Sequence, residues 1–163
     1  MNLRSFNKTL AAIAIFLFLA GCQTMSSSYG VGSVSPEDRA PFPPGGNSGT
    51  WKGSSLVVDY KYSRTQSDLD MSGTVNFLDN ITMNFVLLRD FQISIIFVDE
   101  NGKVLVTQGL ATGRGAFDPI SFHVKMSAPQ AAVAMSFSYK GTAIEGGSDD
   151  GGGVTYFWQY PIR

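Results

Sequence analysis

From residue 56 to residue 139 the apolar side chains keep falling on every second position. Leu56, Val58, Tyr60 and Tyr62 alternate with Val57, Asp59 and Lys61, and Met71, Gly73, Val75 and Phe77 alternate with Ser72, Thr74 and Asn76. Phe91, Ile93, Ile95 and Phe97 repeat the pattern, then Phe122, Val124 and Met126, then Val133, Met135, Phe137 and Tyr139. Residues two apart share one face of a strand, whereas a helix needs spacings of three and four. The pattern therefore excludes a helical bundle and predicts half-buried strands rich in β-branched and aromatic residues. The runs 103–110 and 154–160 are strand-like as well, while 81–88 (ITMNFVLL) fits either a strand or a short helix. Asp99-Glu100-Asn101-Gly102-Lys103 reads as a hairpin turn, with Gly102 supplying a positive φ. Seven to nine short strands within residues 50–163 predict an all-β fold, an antiparallel β-sandwich.

Composition narrows the function classes. The chain of 163 residues carries 12 Lys+Arg against 13 Asp+Glu, a balance that argues against nucleic-acid binding. Its single Cys excludes an intramolecular disulfide framework and a multi-thiolate zinc site. At 44% hydrophobic residues there is ample surface to bury in one domain.

The N-terminus reads as an address. Arg4 and Lys8 precede an unbroken apolar run at 10–20, LAAIAIFLFLA, which is too short for the roughly 20 residues a membrane-crossing helix needs. Leu19-Ala20-Gly21-Cys22 follows directly. This order of charge, apolar run, small residues and Cys resembles a bacterial lipobox. The resemblance implies that residues 1–21 are a signal peptide, that Cys22 is lipidated, and that the protein is held on a membrane of the cell envelope. Gln23, where Asp would favour inner-membrane retention, resembles the outer-membrane pattern. Loss of Arg4 and Lys8 with the signal takes the formal charge from -1 to -3. Residues 23–49 contain six Ser, five Gly and four Pro, and are expected to be a flexible tether ahead of a domain at 50–163. Such a coil would span about 30 Å.

A second resemblance concerns the fold. Gly73-Thr74-Val75-Asn76, a strand ending in Phe97-Val98-Asp99, then Asn101-Gly102-Lys103-Val104, Phe122 and Pro129 are similar to immunoglobulin-like domains of the bacterial envelope. The resemblance implies an immunoglobulin-like sandwich and transfers no catalytic or ligand residue.

Few residues suggest chemistry. His123, the only His, is expected on the outward face of its strand, and no G-x-S-x-G elbow accompanies it. Asp149 and Asp150 lie in a Gly-rich stretch that is weak as a cation site, because it lacks the spacing of a calcium loop. The Gly-rich stretch 109–115 opens no helix and is expected to be an inter-strand loop rather than a phosphate cradle. No cofactor motif is present. Tyr156, Trp158 and Tyr160 share one face of the last strand-like run, with Phe157 on the other. They are either a binding stripe for a protein or a sugar, or one side of a strand buried on both faces. The expected role is non-enzymatic, that of an envelope protein that binds a protein partner or assists assembly. The alternative is a lipoprotein that binds glycans or small ligands through this strand.

Overall fold

The computed structural model describes residues 27–146 and 153–163. Their fold is all-β, with two antiparallel sheets packed face to face. In chain order the elements are β1 (Ser27–Tyr29), a 3-10 turn (Pro36–Asp38), β2 (Ala40–Pro41), β3 (Gly45–Lys52), β4 (Leu56–Arg64), β5 (Asp68–Phe77), a one-turn helix α1 (Asp79–Thr82), β6 (Phe85–Val98), β7 (Val104–Gly115), β8 (Ile120–Ser127), β9 (Ala134–Glu145) and β10 (Val154–Gln159). One sheet runs β1-β7-β6-β9-β10, with β2 paired to the start of β9, and the other runs β3-β4-β5-β8. Without the very short β1 and β2, eight strands carry the sandwich, within the expected seven to nine.

The alternating residues meet between the sheets. Leu56, Val58, Tyr62, Met71, Val75 and Phe122 from one face pack against Phe91, Ile93, Ile95, Phe97, Phe137 and Tyr139 from the other. Each set lines one side of its strands because side chains two apart share a face. Val133 alone departs from the pattern, as it precedes β9 and is exposed. The run 81–88 divides: α1 ends at Thr82, and β6 begins at Phe85. The hairpin turn is as expected, with Gly102 at φ 79°. There Asp99 Oδ1 accepts the N–H groups of Asn101 and Lys103 at 3.0 and 2.8 Å. The stretch 109–115 is not a loop. It continues β7, because the 14-residue β6 provides a partner as far as the Leu88–Gly115 pair.

The expected tether over 22–49 is corrected from Ser27 onward. β1 pairs with β7, β3 starts at Gly45, and Val34 and Phe42 are buried. Val34 joins Ile96, Val98 and Val104 in a second apolar cluster, with Ala134 and Ile162 packed against it. Ser33 and Arg163 exchange backbone hydrogen bonds of 3.1 and 2.9 Å. The segment at 33–34 and the C-terminal residues 162–163 thus close together over the outer side of the larger sheet. Residues 27–49 are thus part of the domain rather than a tether ahead of it. Among the described residues no helix is long and apolar enough to cross a membrane.

Arg64, at the end of β4, holds this N-terminal segment in place. It is buried, and its guanidinium lies 4.3 Å from the centre of the Phe42 ring. Nη1 donates to the carbonyls of Phe42 at 2.6 Å and Ala132 at 2.8 Å, and Nη2 donates to Pro129 at 3.1 Å. Burial lowers the guanidinium pKa, opposed by the nearby Tyr62. One cation therefore ties β4, the segment before β3 and the β8–β9 connection together.

Candidate functional site

β10 exposes one face and buries the other. Phe157 is 7% exposed, whereas Tyr156, Trp158 and Tyr160 are 68, 67 and 62% exposed. The register explains the division. Phe157 stands opposite Gly141 of β9, and its ring occupies the space that a Cβ at Gly141 would need, 2.4 Å from the ring edge. There the ring stacks over Phe91 at 6.3 Å and meets Phe77 edge-on at 6.4 Å. Trp158 stands opposite Lys140, and Tyr156 opposite Thr142, on the outward side of β9. Alternate residues on a strand are about 7 Å apart, so the three rings form a stripe roughly 13 Å long. The three rings are exposed, so the strand is not buried on both faces.

The stripe borders a shallow groove of about 390 Å³ on the outer face of the larger sheet. Trp158 and Tyr160 line one side and Ser28 of β1 the other, with Gln92, Ser94, Thr107 and Ser138 between them. The pairs Lys140–Gln92 and Ser138–Ser94 place these side chains in adjoining rows across β9 and β6. The lining carries hydroxyl and amide groups, which offer both hydrogen-bond donors and acceptors, and one charged side chain, Lys140. Aromatic faces beside such groups suit a ligand with one apolar and one polar side. The sequence signal for this floor was the polar pair Ser138 and Lys140, which the β9–β10 register carries to the side of Trp158.

The other candidates separate from this face. His123 is exposed on the opposite sheet, as expected, and its Nε2 lies 2.8 Å from Asp70 Oδ1. Lys125 Nζ lies 3.4 Å from the other oxygen of Asp70. The hydrogen bond from His123 is the largest influence and holds the Asp70 carboxyl below its ordinary pKa of 3.8; desolvation, second in size, opposes it, and the hydrogen bond from Lys125 and the charges of both partners add to the lowering. Among the described residues no hydroxyl is hydrogen-bonded to the imidazole beside this carboxylate, and a catalytic triad needs both partners. A depressed carboxylate pKa contributes stability that is complete above the unfolded value and is lost as pH falls through the folded one. Asp70→Asn should therefore lower melting slightly at neutral pH and make the acid loss of stability correspondingly less steep below about pH 4, as followed by circular dichroism across a pH series. Equal acid slopes in both proteins would contradict the pairing.

Asp149 and Asp150 lie outside the described residues, as does Cys22. Among the described residues no group of three or more His, Cys, Asp or Glu is placed to hold a metal ion. A scan against protein-family models finds no match, and neither does a search of curated proteins or of solved structures.

Proposed function

We propose that this protein is a non-enzymatic binding module of the bacterial envelope, anchored through lipid on Cys22 and sorted to the outer membrane. In this reading its sandwich is immunoglobulin-like, and a protein partner docks on the outer face of β10. The observation that carries the proposal is the exposure of Tyr156 and Trp158 on a strand at the sheet edge, together with Tyr160 just past its end. Trp and Tyr dominate the energetics of protein interfaces because they bury large, rigid area at low entropic cost. Among the described residues β10 is the last strand of its sheet, and the backbone groups along such an edge can bond an incoming strand. The lipobox and Gln23 support the address.

The test is a photo-cross-linking amino acid placed at position 160 in living cells. A discrete protein adduct is expected, and it should disappear when Trp158→Ala is added. A normally accumulated protein that yields no adduct contradicts the protein-binding reading. The hydroxyl and amide floor favours a second reading, a glycan ligand stacked on Trp158. Saturable quenching of tryptophan fluorescence by cell-wall fragments, lost in Trp158→Ala, would select it.

A further inference from the structure

Among the described residues the two sheets end on β1, β10, β3 and β8, and one of these edges lacks any guard against pairing. An open edge templates pairing with another chain, and natural edge strands resist it with charge, proline, bulges or short length. β1 is three residues long. β8 carries His123 and Lys125. β3 has Gly at 45, 46 and 49, which offer a neighbour no side chain to pack on, and it ends in Lys52. β10 reads VTYFWQ, with no charge, no proline and an unbroken register against β9.

The backbone of β10 is turned for pairing. Glu145 donates its N–H to the carbonyl of Gly153 at 2.9 Å, in register with the β9–β10 ladder. Hydrogen-bonded pairs alternate along an antiparallel ladder. Thr155, Phe157 and Gln159 therefore bond β9, while Val154, Tyr156 and Trp158 point their N–H and C=O groups away from it. Among the described residues nothing outside the sheet bonds those groups. The same three residues hold their side chains exposed on the outer face. A neighbouring strand thus gains a backbone ladder and a row of large apolar contacts together.

A second copy of the same strand fits this edge. In a two-fold antiparallel pair, a residue whose backbone points outward must meet another of the same kind. The matching register closest to full overlap sets Tyr156 opposite itself and Val154 opposite Trp158 of the second copy. It forms about six backbone hydrogen bonds. It also sets aromatic and β-branched side chains side by side, among the pairs that stabilise sheets. A charge at such an axis would face its own like. Here the flanking charged residues, Lys140 and Glu145, stand one strand further in, on β9. Each is at least three strand spacings, about 14 Å, from its counterpart, which exceeds the screening length at physiological salt. The balance of 12 basic against 13 acidic residues leaves little general repulsion between copies.

We propose that a second copy of this chain pairs antiparallel with β10 across a two-fold axis at Tyr156, joining the larger sheets of both copies into one. The two aromatic stripes then lie side by side on one surface, which widens the face proposed above for a protein partner. The inference rests on neither lipidation nor the identity of that partner.

The test is disulfide trapping in cells, with the native chain treated alike to control for Cys22. Opposed residues in a hydrogen-bonded pair have Cα atoms about 5.5 Å apart, a distance that disulfides favour. Tyr156→Cys should therefore form a covalent dimer under mild oxidation. Val154→Cys and Trp158→Cys should each fail alone, because each lies about 14 Å from its own counterpart, and should cross-link when differently tagged copies of the two are expressed together. Absence of the Tyr156→Cys dimer, or Val154→Cys linking to itself as strongly as to Trp158→Cys, overturns the pairing. Tyr156→Lys places two ammonium groups at the axis. Purified in detergent, it should run at half the native mass and keep the native melting temperature. A native chain that already runs at monomer mass overturns the inference, while the adduct from position 160 decides the partner reading separately.

Discussion

Arg64→Ala should unfold the domain at a temperature roughly 10 °C or more below that of the native protein, a loss of about 3–5 kcal/mol. The size follows from what the substitution strands. The carbonyls of Phe42 and Ala132 accept the two shortest bonds from the guanidinium, and both residues are buried. A buried acceptor left without a donor costs about 1–3 kcal/mol. The cation over the Phe42 ring disappears too, which adds about 1 kcal/mol or more. Arg64→Lys should recover only part of the loss, because a single ammonium cannot span carbonyls that a planar guanidinium bridges. Thermal melts followed by far-UV circular dichroism measure both variants. An Arg64→Ala protein that melts within a degree or two of the native one would contradict the role assigned to this residue.

Phe42→Ala carries the second large effect, about 3–5 kcal/mol. The ring is fully buried, 5.0 Å from Tyr62 and 5.3 Å from Phe97, and its backbone N–H donates to Val133 at 2.9 Å. A Phe on a solvated tether would lose nothing on truncation, so chemical denaturation of this one variant separates a tether from an integral segment. Arg64 and Phe42 touch, so the double variant should lose less than the sum of the singles, by about 0.5–3 kcal/mol. Additive losses would show that the two act independently.

The strands from β4 to β9 were legible because each has one apolar face, which period-two alternation reports directly. The N-terminal segment was not, for a physical reason. β3, with sequence GGNSGTWK, joins the sheet through its backbone ladder with β4 and turns Trp51 as its one large apolar side chain into the core. A strand held by backbone bonds leaves no side-chain pattern. Val34 and Phe42 are single anchors eight residues apart among Pro, Gly and Ser, a composition shared with true linkers. The same limit hid the extension of β7 through its glycines, where pairing with β6 outweighs poor strand propensity. For the candidate site, alternation separated Phe157 from its neighbours but did not say which side faced in. The answer lay in β9. Gly141 leaves room for a ring on the core side, while Ser138, Lys140 and Thr142 mark the outer one.

Those opposed faces of β10 are the basis of the binding proposal, and adjacent residues test it. Phe157→Ala and Trp158→Ala are to be compared for melting temperature and for the cross-linked adduct formed from position 160. Phe157→Ala should lower the melting temperature by roughly 10 °C, through loss of about 3 kcal/mol of core packing. Trp158→Ala should stay within about 0.5 kcal/mol of native stability and abolish the adduct. If Trp158→Ala melts as low as Phe157→Ala, or melts normally and keeps the full adduct, the outer face of β10 is not the binding surface.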